Sequence, residues 1–289
     1  MKMVEPLLGT RAEVAADAVD QAIVEQLEDA VLEEVERLES IFSVFDTDAA
    51  IQDLRRTGRT TVPELLAVAE LARHWHHRTD GAFNPTMQPL VDAWGQGEVD
   101  DVVPDEGRLV ELVAQARLLP VQYLDLNAVA KGWIAQHAVD RVIEHHTATG
   151  TEARGIWLSL GGDVVHRGAG GVVVGIEDPH RPYDNVAPMA SVELRNEAMA
   201  TSGSARRWWT IGGRRYAKVL DPRTGQPVDH VVGASVVAPD AAAADALATA
   251  ALVLPPERSQ QLIEDAGGAC WLVLADRTVV ASGDRLRPA

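Results

Sequence analysis

The sequence changes texture near residue 155, and this change constrains the fold more than any other feature. Before it, apolar residues recur at helical spacing. Val19, Ile23, Leu27, Val31 and Val35 stand four apart, with Ala30 and Leu38 widening the stripe, so residues 13–39 are expected to form one amphipathic helix with an acidic outer face. A second helix is expected from Pro63, a favoured first-turn residue, carrying Leu65, Leu66, Ala69, Ala72 and Trp75. After residue 155, short β-rich runs follow at 156–160, 171–176, 190–194, 208–211 and 233–237, divided by glycines and by Asp-Pro pairs at 178–179 and 221–222. Segment 241–254 is Ala-rich and reads as a helix; 269–282 reads as a hairpin turning at Asp276-Arg277. Helices first, then strands with helices between them, predict an α+β fold with mixed sheets and packed helices rather than a doubly wound sheet. With neither an internal repeat nor a low-complexity linker, residues 1–289 are expected to form a single domain.

Charge removes whole classes of function. The formal net charge of −17 argues against a nucleic-acid partner, which needs clustered Lys and Arg, and against docking on anionic lipid. Any phosphate must therefore be held by a few local cations, backbone amides or a metal. The single cysteine, Cys270, excludes an internal disulfide and a thiolate cluster, and its apolar surroundings mark a buried, inert thiol. No stretch approaches the ~18 apolar residues of a membrane span. The N-terminal Met1-Lys2-Met3-Val4-Glu5-Pro6 has no apolar h-region and no lipidation cysteine, so a cytoplasmic location is expected. The stretch 95–107, rich in Gly, Asp and Glu, is expected to be a flexible loop.

Four segments carry chemistry. In Asp245-Ala246-Leu247-Ala248-Thr249 the acid and the hydroxyl stand four apart, one turn from each other on one helix face. Two hard oxygen ligands make an incomplete site of the kind that suits Mg²⁺ with waters or phosphate oxygens; the alternative is an exposed Asp and a Thr bonded back to its helix. In Leu124-Asp125-Leu126-Asn127-Ala128-Val129-Ala130-Lys131-Gly132-Trp133 a short strand is expected to turn into a helix with Lys131 in its first turn. A cation there opposes the helix dipole unless an anion is near, so Lys131 is either a phosphate ligand or a surface lysine. Leu160-Gly161-Gly162-Asp163 with Ala200-Thr201-Ser202-Gly203, and Tyr216-Ala217-Lys218-Val219-Leu220-Asp221-Pro222-Arg223-Thr224-Gly225, each read singly as strand ends and turns.

Taken in order, these segments resemble the ApbE family of FAD:protein FMN transferases. Leu7-Leu8-Gly9-Thr10 is similar to the family's M-G-T, and Thr79-Asp80-Gly81-Ala82-Phe83-Asn84-Pro85-Thr86 to its T-D-G-A-F-D-P-T, followed by Pro89-Leu90-Val91 and Trp94-Gly95. The segment from Asp125 to Gly132 is similar to D-L-G-G-I-A-K-G, and the remaining segments complete the set across nearly the whole chain. The resemblance implies a Mg²⁺ site at Asp245 and Thr249 with main-chain oxygens of Ala128 and Ala248. It implies an FAD site lined by Leu8, Ala82, Phe83, Asn84, Asp125, Lys131, Val219 and Thr201. The implied reaction transfers FMN from FAD to a threonine of an acceptor protein and releases AMP, with Lys131 offsetting charge on the pyrophosphate. The sequence departs from the pattern at Lys218, where the family has a His, and at Gln136, where it often has Asp. Lys218 can serve as base for the acceptor hydroxyl only if it is desolvated. An FAD pyrophosphatase using water, and a non-catalytic FAD-binding protein, are the alternatives.

Overall fold

The structure is a computed structural model that describes residues 1–95, 102–148, 153–183, 185–204, 208–283 and 287–288. Among them the chain runs β1 (Lys2–Leu7), β2 (Thr10–Ala18), α1 (Gln21–Phe42), α2 (Ala50–Thr57), α3 (Pro63–Arg78), α4 (Gln88–Trp94), α5 (Glu106–Ala116) and α6 (Asn127–Ala148). There follow β3 (Ala153–Leu160), β4 (Asp163–Gly168), β5 (Val172–Ile176), β6 (Ala190–Leu194), β7 (Ala198–Gly203), β8 (Trp208–Ile211), β9 (Arg214–Ala217) and β10 (Val231–Ala238). The chain closes with α7 (Ala241–Ala251), α8 (Pro256–Asp265), β11 (Ala269–Leu274), β12 (Val279–Ala281) and β13 (Arg287–Pro288). The fold is α+β.

One antiparallel sheet, in the order β1-β2-β3-β4-β7-β10-β11-β12, takes strands from both ends of the chain. Its central strands are buried on both faces, and their alternation shows it. In β7, Ala198 and Ala200 face the helical layer while Met199 faces the opposite layer; in β11, Cys270 and Leu272 face the helices while Trp271 and Val273 do not. The helical layer holds α1, α3, α6 and α7, and the opposite layer is the small sheet β13-β6-β5. A third cluster joins α4 and α5 to the β8–β9 hairpin through Leu90, Trp94, Leu109, Leu112, Trp209 and Ile211. Helix α7 is alanine at eight of its eleven positions, which lets it pack closely between α6 and the sheet.

The expected helix over 13–39 is corrected at its start. Residues 10–18 are strand, with Ala12 and Val14 buried and Arg11 and Asp17 exposed, a period of two that belongs to a sheet. The helix begins at Gln21, after Asp20 caps it by accepting the Ala22 N–H at 2.9 Å. Val19 is accordingly exposed, while Leu27, Val31, Val35 and Leu38 are buried. Two strands thus precede the helices. In α3, Leu65, Ala69, Ala72 and Trp75 are buried and Leu66 points to solvent. Where a short strand was expected to lead into Asp125, a 3-10 turn, Val121–Tyr123, stands instead. Within the stretch 95–107, residues 96–101 lie outside the described residues. Cys270 is buried, and burial pushes its thiol up. No helix among the described residues is long and apolar enough to cross a membrane.

Candidate functional site

The small residues of α6 and α7 bring the chemical groups together. A Cβ at Gly132 would stand 2.2 Å from the Ala241 carbonyl oxygen and 3.1 Å from the Asp245 Cβ, so glycine is what lets the two helices touch. At that contact the Gly132 N–H donates to Asp245 Oδ2 at 3.1 Å. Asp245 is 3% exposed, not the surface acid that periodicity also allowed. Burial pushes its carboxyl up to about 7; the Lys131 ammonium and the Gly132 N–H oppose the shift and the Asp163 carboxylate adds to it.

Lys131 lies in the second turn of α6, not the first, since the helix already starts at Asn127. It forms an ion pair with Asp163, itself buried at the head of β4. Asp163 follows a turn in which Gly161 and Gly162 both have positive φ. The ladder between β4 and β7 is recorded at Val164↔Met199 and Val165↔Ala198, and just beyond it the Thr201 N–H donates to Asp163 Oδ1 at 3.1 Å. The Asp163 side chain thus continues the pairing where the strand stops. Thr201 Oγ1 lies 2.8 Å from Ser235 Oγ, and Ser202 Oγ lies 3.2 Å from Thr249 Oγ1. Groups from α6, β4, β7 and α7 therefore meet on the helical face of the sheet, while the Thr201–Ser235 hydroxyl pair lies on its other face.

Other expected FAD-site residues lie in two further loops, of which the one between α3 and α4 reaches the start of α6. Leu8 sits at φ +53°, with its N–H held by Glu39 Oε1 at 2.9 Å. Between α3 and α4, buried Thr79 donates to the Trp75 carbonyl at 2.7 Å and accepts the Phe83 N–H at 3.0 Å. Asn84 accepts the Thr86 N–H and hydroxyl, each at 2.8 Å. Asp125 ties this turn to α6: its N–H donates to the Pro85 carbonyl at 2.7 Å and its carboxylate accepts the Asn127 N–H at 2.9 Å. Burial pushes the half-exposed Asp125 carboxyl up. Leu8, Ala82, Phe83, Ala128, Ala248 and Val219 all lie in or against the helical core cluster.

Lys218 stands apart from these groups. It is exposed, and its Nζ lies 5.7 Å from the centroid of Trp209 in the α4/α5 cluster. The desolvation that a general-base role requires is not supplied by the protein alone. Gln136, the other departure, accepts the Ala241 N–H at 2.8 Å at the start of α7.

The motifs at 160–163 and 200–203 contain Asp163 and Ser202 without naming their partners, and no sequence signal marks Ser235 or the Gly132 amide. Asp163 lies 32 residues from Lys131, and the amide 113 from Asp245, separations that carry no local signal. Arg223 belongs to the 216–225 segment, but its contacts are tertiary. It doubly bonds Asp221 and reaches the Val253 carbonyl at 3.1 Å, which fixes the turn after Lys218.

No cluster of three or more His, Cys, Asp or Glu able to hold a metal forms among the described residues. A cation at this site would rest on Asp245, Thr249 and main-chain oxygens. That donor set fits Mg²⁺: a desolvated carboxylate without a full counter-charge, a hydroxyl one turn away, and only hard oxygens.

Residues 8–272 match the family described as the ApbE family. Among curated proteins, the FAD:protein FMN transferase of Klebsiella pneumoniae (strain 342) is 28% identical over 93% of this chain and 83% of its own. That of Treponema pallidum (strain Nichols) is 32% identical over 89% and 82%. Among solved structures, the ApbE protein of Thermotoga maritima superposes with a TM-score of 0.81 at 23% identity, covering 97% of this chain and 96% of that one. The apo flavinyl transferase ApbE of Pseudomonas stutzeri does so with a TM-score of 0.74 at 24% identity, over 97% and 94%.

Proposed function

This chain belongs to the ApbE family, and from that premise we propose that it is an FAD:protein FMN transferase acting at the junction of α6, α7 and β4. One observation carries the assignment of the site: Lys131, Asp163 and Asp245 lie together at a close contact of two helices. Two carboxylates and one ammonium leave one negative charge uncompensated when all are ionised. Mg²⁺ on Asp245, Thr249 and the main-chain oxygens of Ala128 and Ala248 would reverse that sign and supply Lewis-acid stabilisation of the pyrophosphate.

Each side chain then has a defined task. Lys131, held by Asp163, offers its ammonium to the pyrophosphate oxygens. Leu8, Ala82, Phe83, Asn84, Asp125, Val219 and Thr201 line the flavin nucleotide. A threonine hydroxyl of the acceptor attacks the phosphorus of the FMN half, the bond to the bridging oxygen breaks, and AMP leaves with that oxygen. Lys218 is assigned the hydroxyl proton. It is exposed, so the incoming acceptor must desolvate it before its amine can accept that proton.

The test follows AMP release from FAD with and without Mg²⁺, together with covalent flavin on a threonine-bearing acceptor domain. Mg²⁺-dependent AMP with protein-bound flavin is the expected result. AMP and free FMN without covalent flavin would make the chain a pyrophosphatase. No AMP at all would leave it a binding protein. FAD should bind more tightly than FMN, because Lys131 and the metal both need the pyrophosphate; equal affinities would refute the assigned site.

A further inference from the structure

The β8–β9 hairpin runs against the charge of the protein. Residues 208–218, Trp-Trp-Thr-Ile-Gly-Gly-Arg-Arg-Tyr-Ala-Lys, hold three cations and no acid in a chain of net charge −17. The hairpin turns through Gly212 and Gly213, both at positive φ (57° and 77°), the two-residue turn whose twist matches paired strands. Register pairs Trp209 with Tyr216 and Thr210 with Arg215, which gives the hairpin two unlike faces. The inner face buries Trp209 and Ile211 in the α4/α5 cluster. There Trp209 stacks on Trp94 with ring centroids 5.9 Å apart, and its Nε1 donates to the Gly95 carbonyl at 2.8 Å. The outer face carries Arg215, whose guanidinium lies 4.4 Å from the centroid of Trp208, while Arg214, opposite Ile211 on the other face, lies 5.1 Å from that of Tyr216, so successive side chains of one extended segment are needed to meet both. Trp208 remains 39% exposed.

Arginines laid on aromatic rings are ordered before any partner arrives, so a partner loses less side-chain freedom in binding them. The two strands form a sheet of their own, which leaves each with an outer edge unpaired among the described residues. Strand β9 ends at Ala217, and the chain bends at Lys218 before Val219. Four residues at no more than ~3.3 Å each keep Val219 within about 13 Å of Arg215.

We infer that this hairpin docks the acceptor protein through an extended acidic segment, its carboxylates on Arg214 and Arg215 and its edge on the hairpin. A hydroxyl a few residues from those carboxylates then reaches the assigned flavin site. The inference rests on the transferase reading and adds how the acceptor is recognised.

The probes are short fluorescent peptides with one threonine and identical sequence, except that Asp and Glu in one are Asn and Gln in the second and Lys in the third. Titrated with the full chain at low salt, the acidic peptide should bind about tenfold more tightly than the neutral one, and added salt should erase the difference. The double substitution R214E/R215E should abolish this preference and gain one for the Lys peptide, a gain that an unfolded variant would not show. FAD affinity should stay within about twofold of wild type, since neither arginine is assigned to the flavin site. Equal binding of acidic and neutral peptides overturns the inference, as does an acidic preference that survives R214E/R215E. Tighter binding of an oligodeoxynucleotide than of the acidic peptide overturns it too, in favour of a phosphodiester partner. A loss of FAD affinity in R214E/R215E would place the arginines at the nucleotide instead. Failure of wild type to bind FAD would sink the transferase reading, whatever the peptides do.

Discussion

The Gly132 main-chain N–H donates to the Asp245 carboxylate at 3.1 Å, across a helix contact too close for a methyl group. The packing of α6 on α7 and the orientation of the proposed metal ligand are therefore one feature. Gly→Ala inside a helix ordinarily gains about 1 kcal/mol. Here the new methyl would stand 2.2 Å from the Ala241 carbonyl oxygen, and such overpacking costs about 3 kcal/mol. Gly132→Ala should thus be destabilised by about 2 kcal/mol, a fall in Tm of ~3 °C by calorimetry, with loss of Mg²⁺-dependent FAD cleavage. A variant as stable as wild type would show that the helices can separate freely.

Asp245→Asn is nearly isosteric and removes the one carboxylate charge assigned to the metal. Mg²⁺-dependent AMP release should fall at least ~100-fold, with circular dichroism unchanged. Thr249→Val should cost less, because water can replace a neutral hydroxyl. Full activity of Asp245→Asn at limiting Mg²⁺ would move the metal elsewhere. Wild type alone should show a large rise in Tm with Mg²⁺ and FAD together.

Lys218→Ala should lower transfer to an acceptor ~100-fold while FAD affinity stays within about twofold, the pattern of a lost base. Lys218→His should restore transfer near neutral pH, where an imidazole is already largely unprotonated. Equal loss of FAD binding and transfer in Lys218→Ala would make the lysine a nucleotide ligand.

Stability should depend on pH through His166. Burial holds its imidazole below the usual 6.5, reinforced by Arg167 and Arg195, and its Nδ1 accepts the Asn196 N–H at 3.2 Å. Below 6.5 the unfolded chain binds a proton that the folded protein resists, so this stability is complete above 6.5 and is lost as pH falls below it. Tm should drop between about pH 7 and pH 5, and His166→Gln should flatten part of that drop. His76, also held below its usual value by burial, supplies a further part.

Limited proteolysis should yield no independently folded half. Strand β2 pairs with β3 from Ala12↔Leu160 to Ala18↔Ala153, so the first residues of the chain are sheet partners of its second half. A cut between α6 and β3 that released two stable fragments would contradict a single domain.

The sequence by itself determined the α+β class, a helix through most of 21–39, the helices from Pro63 and within 241–254, and several strands of the second half, because apolar period and turn residues act locally. It also marked Asp245, Thr249 and Lys131, whose spacing and residue types lie within single segments. It did not determine the start of α1. The apolar spacing of four runs back from Leu27 to Val19 and hides a strand, and only the neighbours β1 and β3 decide between the two. Nor did it reveal that Asp163 holds Lys131, that the Gly132 amide holds Asp245, or that Lys218 sits over Trp209 in the sun of solvent and not in the core. Those pairings join residues far apart in the chain, and burial, which sets the charge state of Asp245, is a property of the packed molecule and not of any one segment.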